Sequence, residues 1–354
     1  MFSFMFLSFF LTGLFILIFK RVAPRIGLID QPGGRKTHED AVPLVGGLAI
    51  FSSFILLSLL FTPWMEHWMA FVALSILLYM GVIDDAIELN AKFKFFIHFV
   101  VSALLVFDGV VLETMGDLFG TGDISFGGFA GIFTILCVVY LINAMNMIDG
   151  IDGLSGGIAF VIAIFLFSAS LMRGVMPTFE LQFLIGALVC FLMFNYRHPW
   201  RERASIFMGD SGTMALGFVL AWLAIDLSQD GATANGAVFD PISIAWLLAL
   251  PIWDAFGMLT ARIRRGKHPF EPDRNHFHHH FLDAGFKPEE ATPLIMLYCM
   301  LLGSVGVFGA SWGIPPVVLT IGWIFMWGVH TQLSYKHDRF IVFLKRVRQM
   351  LRMS

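Results

Sequence analysis

Eleven apolar runs alternate with polar connections along this chain, at about 2–19, 44–62, 68–83, 95–112, 129–147, 154–172, 181–195, 212–227, 242–261, 292–311 and 314–332. They are apolar on every side. A helix at the surface of a soluble protein carries an apolar stripe opposite a polar face, and these runs have no polar face to turn toward water. As helices they suit a hydrocarbon layer of about 30 Å. The pattern predicts an all-α fold, a polytopic membrane helix bundle of about 11 transmembrane helices. With no repeat or soluble domain in view, residues 1–335 read as one membrane domain. The tail at 336–354 mixes basic residues with Phe340, Ile341, Phe343, Leu344, Val347 and Leu351, the pattern of an amphipathic helix anchored on anionic lipid.

Composition agrees with that class. Apolar residues make up 57% of the chain and charged residues 14%, against roughly 45–50% and 25% in soluble domains. Cys137, Cys190 and Cys299 fall inside apolar runs without ligand spacing and read as small buried thiols. Charge then gives direction. Counted loop by loop, 22 of the 23 Lys and Arg residues fall on one side of the alternating spans, and only Arg173 falls on the other. The basic side is cytoplasmic, so the N-terminus is expected outside and the C-terminus inside. The first span is read as retained and not as a cleaved signal, because no basic residue precedes it and Lys20-Arg21 follow it. No nucleic-acid partner is expected, and the chemistry is expected on the cytoplasmic face.

Four clusters on that face carry candidate chemistry. Asp84 and Asp85 end the third span, where a helix dipole disfavours carboxylates unless cations compensate; Lys92 and Lys94 are the nearby cations. The alternative is a solvated acid pair marking the membrane boundary. Asn143, Asn146 and Asp149 recur every third residue along one helix face, and Gly150 and Gly153 loosen the backbone around Asp152. Ordinary Asn and Gly capping explains one of these residues but not all of them. Gly209-Asp210-Ser211-Gly212 opens the eighth span, where free backbone N–H groups and the positive dipole end suit an anion, although Asp and Ser are also ordinary N-caps. His276, His278, His279 and His280 lie close to Arg262, Arg264 and Arg265, and that much positive charge argues for a diphosphate over a metal. His98 and His330 lie within spans and read as helix-to-helix hydrogen bonds.

Together with Asp30-Gln-Pro, Arg35-Lys36-Thr-His38 and Pro43-Leu-Val-Gly-Gly47, these motifs resemble the polyprenyl-phosphate N-acetylhexosamine-1-phosphate transferase family over nearly the whole chain. The pattern is most similar to members acting with UDP-N-acetylglucosamine, while His278-His279-His280-Phe281 is also similar to those using UDP-MurNAc-pentapeptide. The resemblance implies a phosphoglycosyl transferase of the bacterial inner membrane, starting a cell-surface glycan of O-antigen or enterobacterial common antigen type. Its partners would be undecaprenyl phosphate, UDP-GlcNAc and membrane lipids, with room for a homo-oligomer. Mg²⁺ is the implied cofactor, with Mn²⁺ as substitute, held by Asp210 and Asn146. Asp84 or Asp85 would act on the lipid phosphate or the metal. Asp149 and Asp152 would contact ribose and uracil, with Phe207 stacked on the base. His278, His279 and Arg265 would hold the diphosphate, and Lys36 and His38 would also contact phosphate. A divalent-metal transporter is the rival reading, since intramembrane acids and His-rich loops occur in that class too. Against it, the acids gather on one face and no inverted repeat is visible.

Overall fold

The computed structural model describes residues 2–31, 41–198, 201, 203–229, 237–264, 266, 276–335 and 337–351. Among these residues the chain is nearly all helix: α1 (Phe2–Val22), α2 (Gly46–Phe61), α3 (Trp68–Ile87), α4 (Ala91–Phe107), α5 (Ala130–Ile148), α6 (Leu154–Met172), α7 (Phe179–Asn195), α8 (Gly209–Ser228), α9 (Pro241–Leu247), α10 (Ala249–Arg264), α11 (Phe277–Asp283), α12 (Pro288–Ser311), α13 (Pro316–Tyr335) and α14 (His337–Met350). One antiparallel two-stranded ribbon, β1 (Ile29–Asp30) with β2 (Val42–Pro43), follows α1.

Among the described residues seven helices are long and apolar enough to cross a membrane, and an eighth crossing results if α9 and α10 are taken together. Each of the remaining expected runs also holds a helix: α2 and α7 are shorter apolar ones, and α4 covers the run at 95–112 only as far as Phe107. One expectation needs correction. The run at 242–261 is not one straight helix but breaks at Leu248, with α9 and α10 bent by 69°. Pro251 explains the break, because it has no N–H for the carbonyl of Leu247 and its ring would crowd that carbonyl in a continuous helix.

The bundle is built around α8. In its most apolar window α8 is 94% buried, against 17% for α1, which turns Phe2, Phe6, Phe10, Leu14 and Leu17 outward. Such a surface would aggregate in water and fits lipid. Close approach around α8 depends on glycine. A Cβ on Gly47 would lie 2.0 Å from the Cα of Gly212, and one on Gly81 would lie 2.3 Å from the Cα of Ser211. Backbone therefore meets backbone where α2 and α3 touch the start of α8.

The other end of the chain wraps a short helix. α11 buries Phe277, His278, His280 and Phe281, and α14 packs Phe340 and Leu344 inward against this region. The Phe340 ring stacks on Phe277 with centroids 5.7 Å apart, and Nδ1 of His337 lies 2.7 Å from Nδ1 of His280. The tail helix thus packs on the bundle, while Arg339, Val342, Phe343 and Arg346 remain exposed on its outer face. His98 meets the helix-to-helix expectation, with Nε2 at 3.2 Å from the Met214 sulfur and Nδ1 at 3.2 Å from the Asn143 amide. His330 does not: it sits among the rings of Phe277, Trp253 and Tyr298, and neither ring nitrogen has a hydrogen-bond partner among the described residues.

These contacts predict two stability effects. Gly47→Ala must separate two backbones and should cost about 1–3 kcal/mol, seen as a lowered Tm in detergent. Gly328→Ala in α13, where a Cβ meets nothing within 4 Å, should leave Tm level or raise it; equal losses would refute the close-contact account. The second effect is pH-dependent. Burial, then the neighbouring His279, pushes His278 down to about 3; burial, then His337, pushes His280 down to about 4. Between pH 6.5 and those values the unfolded chain takes up protons that these two imidazoles refuse in the fold. Their contribution to stability therefore falls on acidification, by about 1 kcal/mol per imidazole at one pH unit below 6.5. Taking pH from 7.5 to 5.5 should lower Tm less in His280→Asn than in the unsubstituted protein, and an equal drop would remove His280 from this account.

Candidate active site

The end of α3, the start of α4, the loop 149–152 after α5, the end of α7, the start of α8 and one side of α11 meet at one cavity of about 1160 Å³. The joint between α3 and α8 is made by Asp85. Its Oδ1 accepts the N–H of Asp210 at 2.7 Å, and its Oδ2 accepts the N–H of Ser211 at 3.2 Å. These are among the N–H groups that the first turn of a helix leaves without an internal partner, and the positive dipole end favours a carboxylate beside them. The sequence suggests an anion at this helix start, and the chain itself supplies it. The two N–H groups are not turned toward a substrate. Gly209 makes the approach feasible: its φ is +74°, and a Cβ there would lie 2.6 Å from the Asp85 carboxylate.

Asp84, on the same helix end, is buried and doubly held. Its Oδ1 accepts the Leu89 N–H at 2.7 Å, and its Oδ2 accepts from Lys94 Nζ at 2.7 Å. Lys94, in the first turn of α4, also reaches Asp210 Oδ2 at 3.4 Å and so bridges the two carboxylates. The cation required at this helix end is therefore Lys94, while Lys92 is exposed. Asp210 Oδ1 accepts from the Asn146 amide at 3.1 Å, and the same amide nitrogen donates to Thr213 Oγ1 at 2.9 Å. With both amide hydrogens so used, the carbonyl oxygen is the ligand-type atom of Asn146.

The three-residue spacing along α5 splits between two environments. Asn143 turns inward, donating to the Val139 carbonyl at 2.7 Å and lying against His98, while Asp149 lines the cavity and Asn146 reaches it only through its bond to Asp210. Asp149 Oδ1 accepts from Ser155 Oγ at 2.6 Å. Asp152 lines the same cavity and is paired with Arg197 Nε at 2.5 Å. Asn195 ties this loop down, accepting the Gly153 N–H at 2.6 Å and donating to the Ile206 carbonyl at 2.8 Å. Phe207 lines the cavity from an extended segment clamped at both sides, its N–H on Pro43 and its carbonyl on Gly46.

The histidines separate by position. His279 lines the cavity. His278 is 2% exposed and is not among the lining residues; its ring lies flat enough on Gly150 that a Cβ there would stand 2.0 Å from Nε2. His280 faces away toward α14. Lys36, His38 and Arg265 lie outside the described residues. Sequence reasoning missed Asn195, named Asp30 only as part of a motif without a role, and counted Arg197 only for topology, although all three line the cavity. A polar residue at the end of an apolar run, next to the basic residues Arg197 and Arg201, as Asn195 is, was the available signal.

Among the described residues no three His, Cys, Asp or Glu side chains form a ready metal cage. The donor set suits Mg²⁺ nonetheless, since that ion keeps several waters and takes one or two carboxylates together with substrate phosphates. Eight acidic side chains line the cavity against two basic ones, Lys94 and Arg197, so a cation has every electrostatic reason to enter. A second cavity of about 530 Å³ is almost wholly apolar and is lined from α5, α8, α9, α10 and α13 by residues such as Leu136, Tyr140, Leu248 and Trp327. Tyr140 precedes Asn146 by six residues on α5, which separates the two levels by about 9 Å.

Comparison with known proteins agrees with this geometry. Glycosyl transferase family 4 matches residues 67–228, which include α3, α5 and α8 with their acids. Three relatives carry the name undecaprenyl-phosphate alpha-N-acetylglucosaminyl 1-phosphate transferase. The Escherichia coli K12 protein is 32% identical over 97% of this chain and 94% of its own length. The Pasteurella multocida protein is 33% identical over 97% and 95%, and the Yersinia pestis protein is 30% identical over 94% and 92%. With the acid cluster, the lysine bridge and most of the cavity lining in the matched segment, and identity at this level from end to end, the chain belongs to the polyprenyl-phosphate N-acetylhexosamine-1-phosphate transferase family.

Proposed function

We propose that the protein transfers N-acetylglucosamine 1-phosphate from UDP-GlcNAc to undecaprenyl phosphate, yielding undecaprenyl-diphosphate-GlcNAc and UMP. The carrying observation is the cluster of Asp84, Lys94 and Asp210 lining a 1160 Å³ cavity, with Asn146 bonded to Asp210, in a chain about a third identical to transferases of that name. An oxygen of the lipid phosphate attacks the sugar-bearing phosphorus, and the bond from that phosphorus to the bridging oxygen breaks to release UMP. Such a reaction needs charge neutralisation and in-line positioning more than covalent help. The apolar cavity one and a half turns along α5 offers room for prenyl chain beside the charged one.

Each residue's part follows from its surroundings. Asp210 and the carbonyl of Asn146 would hold Mg²⁺, or Mn²⁺ in its place, which neutralises diphosphate charge when bound. Lys94 keeps Asp84 ionised and within reach of the lipid phosphate, and Asp85 sets the start of α8. Asp149 and Asp152 would meet ribose and uracil, Phe207 would stack on the base, and His279 would donate to the diphosphate. His278 acts from beneath Gly150, and Lys36, His38 and Arg265 would add phosphate contacts. The membrane arrangement proposed with this is eleven crossings in a bacterial inner membrane, with the N-terminus outside and the C-terminus cytoplasmic. That arrangement brings the acids and 22 of the 23 basic residues to the nucleotide side.

The test is UMP release by the purified protein with undecaprenyl phosphate, Mg²⁺ and UDP-GlcNAc, beside a parallel reaction with UDP-MurNAc-pentapeptide. UMP should appear only with lipid and UDP-GlcNAc, stop on addition of EDTA and return with excess Mg²⁺. Asp210→Asn should lower kcat by about 10³-fold or more with Tm unchanged; near-normal turnover would remove Asp210 from the metal site. UMP from the pentapeptide nucleotide alone would keep the chemistry and overturn the sugar. In the same assay His279→Ala should lose at least tenfold more kcat/KM than His280→Ala, because only His279 reaches the cavity; matched losses would contradict that division.

A further inference from the structure

Asp254 is a carboxylate that none of the chemistry above uses. It lies on α10, is 1% exposed and is not among the residues lining the charged cavity. An unpaired carboxylate at that depth would cost several kcal/mol, so its partners decide why it is there. Both its oxygens are committed to the start of α11. Oδ1 accepts the N–H of Phe277 at 2.8 Å, and Oδ2 faces Nδ1 of His276 at 3.0 Å.

The first contact is a cap supplied from another helix. α11 begins at Phe277, and the His276 side chain makes no capping hydrogen bond of its own. Asp254 fills that role and, through its other oxygen, fixes His276 as well. The His276 ring then sets its neighbours: it stacks on His278 at 5.7 Å with planes 6° apart and meets His279 edge-on at 6.2 Å. His278 and His279 are themselves 4.2 Å apart. One buried carboxylate therefore stands at the head of a run of ring contacts that ends at the imidazole lining the cavity.

We propose that Asp254 is a positioning residue for the transfer reaction, holding His276 and the first turn of α11 so that His279 faces the cavity. The proposal rests on the reading of that cavity as the transfer site. Asp254 touches no substrate; it acts through His279. That distinction is measurable. A residue acting only through His279 has nothing left to lose once His279 is gone, whereas a general structural defect multiplies with it.

The experiment is a double-mutant cycle in purified full-length protein, comparing Asp254→Asn, His279→Ala and the pair by UMP release, with Tm recorded for each. Asp254→Asn is expected to lower kcat/KM for UDP-GlcNAc by 10- to 100-fold with the KM for undecaprenyl phosphate unchanged. The pair should fall no further than His279→Ala alone, and Asp254→Glu should recover part of the loss. Should Asp254→Asn fail to fold, His276→Asn enters the same cycle with the same expectation. Multiplying losses, or unchanged kcat/KM in the folded Asp254→Asn protein, would overturn the proposal while leaving the function intact. An unsubstituted protein that releases no UMP from UDP-GlcNAc would sink the function, and this proposal with it.

Discussion

The acid cluster of the site rests on Asp85 closing the start of α8. α8 runs through the middle of the bundle, so the position of its first turn fixes Asp210, Ser211 and Thr213 together. The Asp85 carboxylate meets two N–H groups of that turn at 2.7 and 3.2 Å, and glycine at 47 and 81 lets α2 and α3 press backbone to backbone against the same turn. Hydrogen bonds from helix-end N–H groups to a carboxylate are among the stronger protein hydrogen bonds, and they weaken only if the contact opens. The packing keeps it shut. Without this joint, Asp210 would ride on a frayed helix end and Lys94 would have no fixed pair of acids to bridge.

The charge pattern then makes sense in physical terms. Each deep acid near the cavity is matched: Asp84 by Lys94 and a backbone N–H, Asp85 by helix N–H groups, Asp152 by Arg197. The acids that retain reach toward open space, Asp210 among them, stand where a cation and a diphosphate can enter as a neutralised pair. A bare diphosphate would meet repulsion from eight acidic side chains. Negative charge in the cavity thus favours a cation, and a diphosphate would be repelled there unless its own charge were neutralised.

Much of this was legible in the sequence, because apolar period and Gly-broken polar motifs are local signals. The helices followed from runs without a polar face, and the acid motifs fell at helix ends because nothing else tolerates them beside lipid. What stayed hidden was pairing. No spacing says that Asp85 caps a helix 125 residues later, or that Lys94 and not Lys92 bridges Asp84 to Asp210. Adjacent residues also parted in role where a helix surface turns. Asn143 went to Val139 and His98 and Asn146 to Asp210; His278 went under Gly150 and His279 to the wall. The break at Leu248 was written in Pro251, but apolar runs mask a proline that composition tolerates in membrane helices.

The His-bearing helix shows why the tail belongs with the rest of the bundle. α11 is seven residues long, too short to hold its shape by its own hydrogen bonds. Its order must come from outside. Asp254 of α10 fixes its first residue, Phe340 of α14 stacks on Phe277, and the His337 ring meets His280. At the far end the Phe286 N–H returns to the Phe281 carbonyl, which leads the chain into α12. A two-turn helix held at its start, its flank and its end can keep one imidazole aimed into a cavity while burying its neighbours. The same grip ties the surface-exposed helix α14, with its basic and apolar outer face, to the wall where His279 stands.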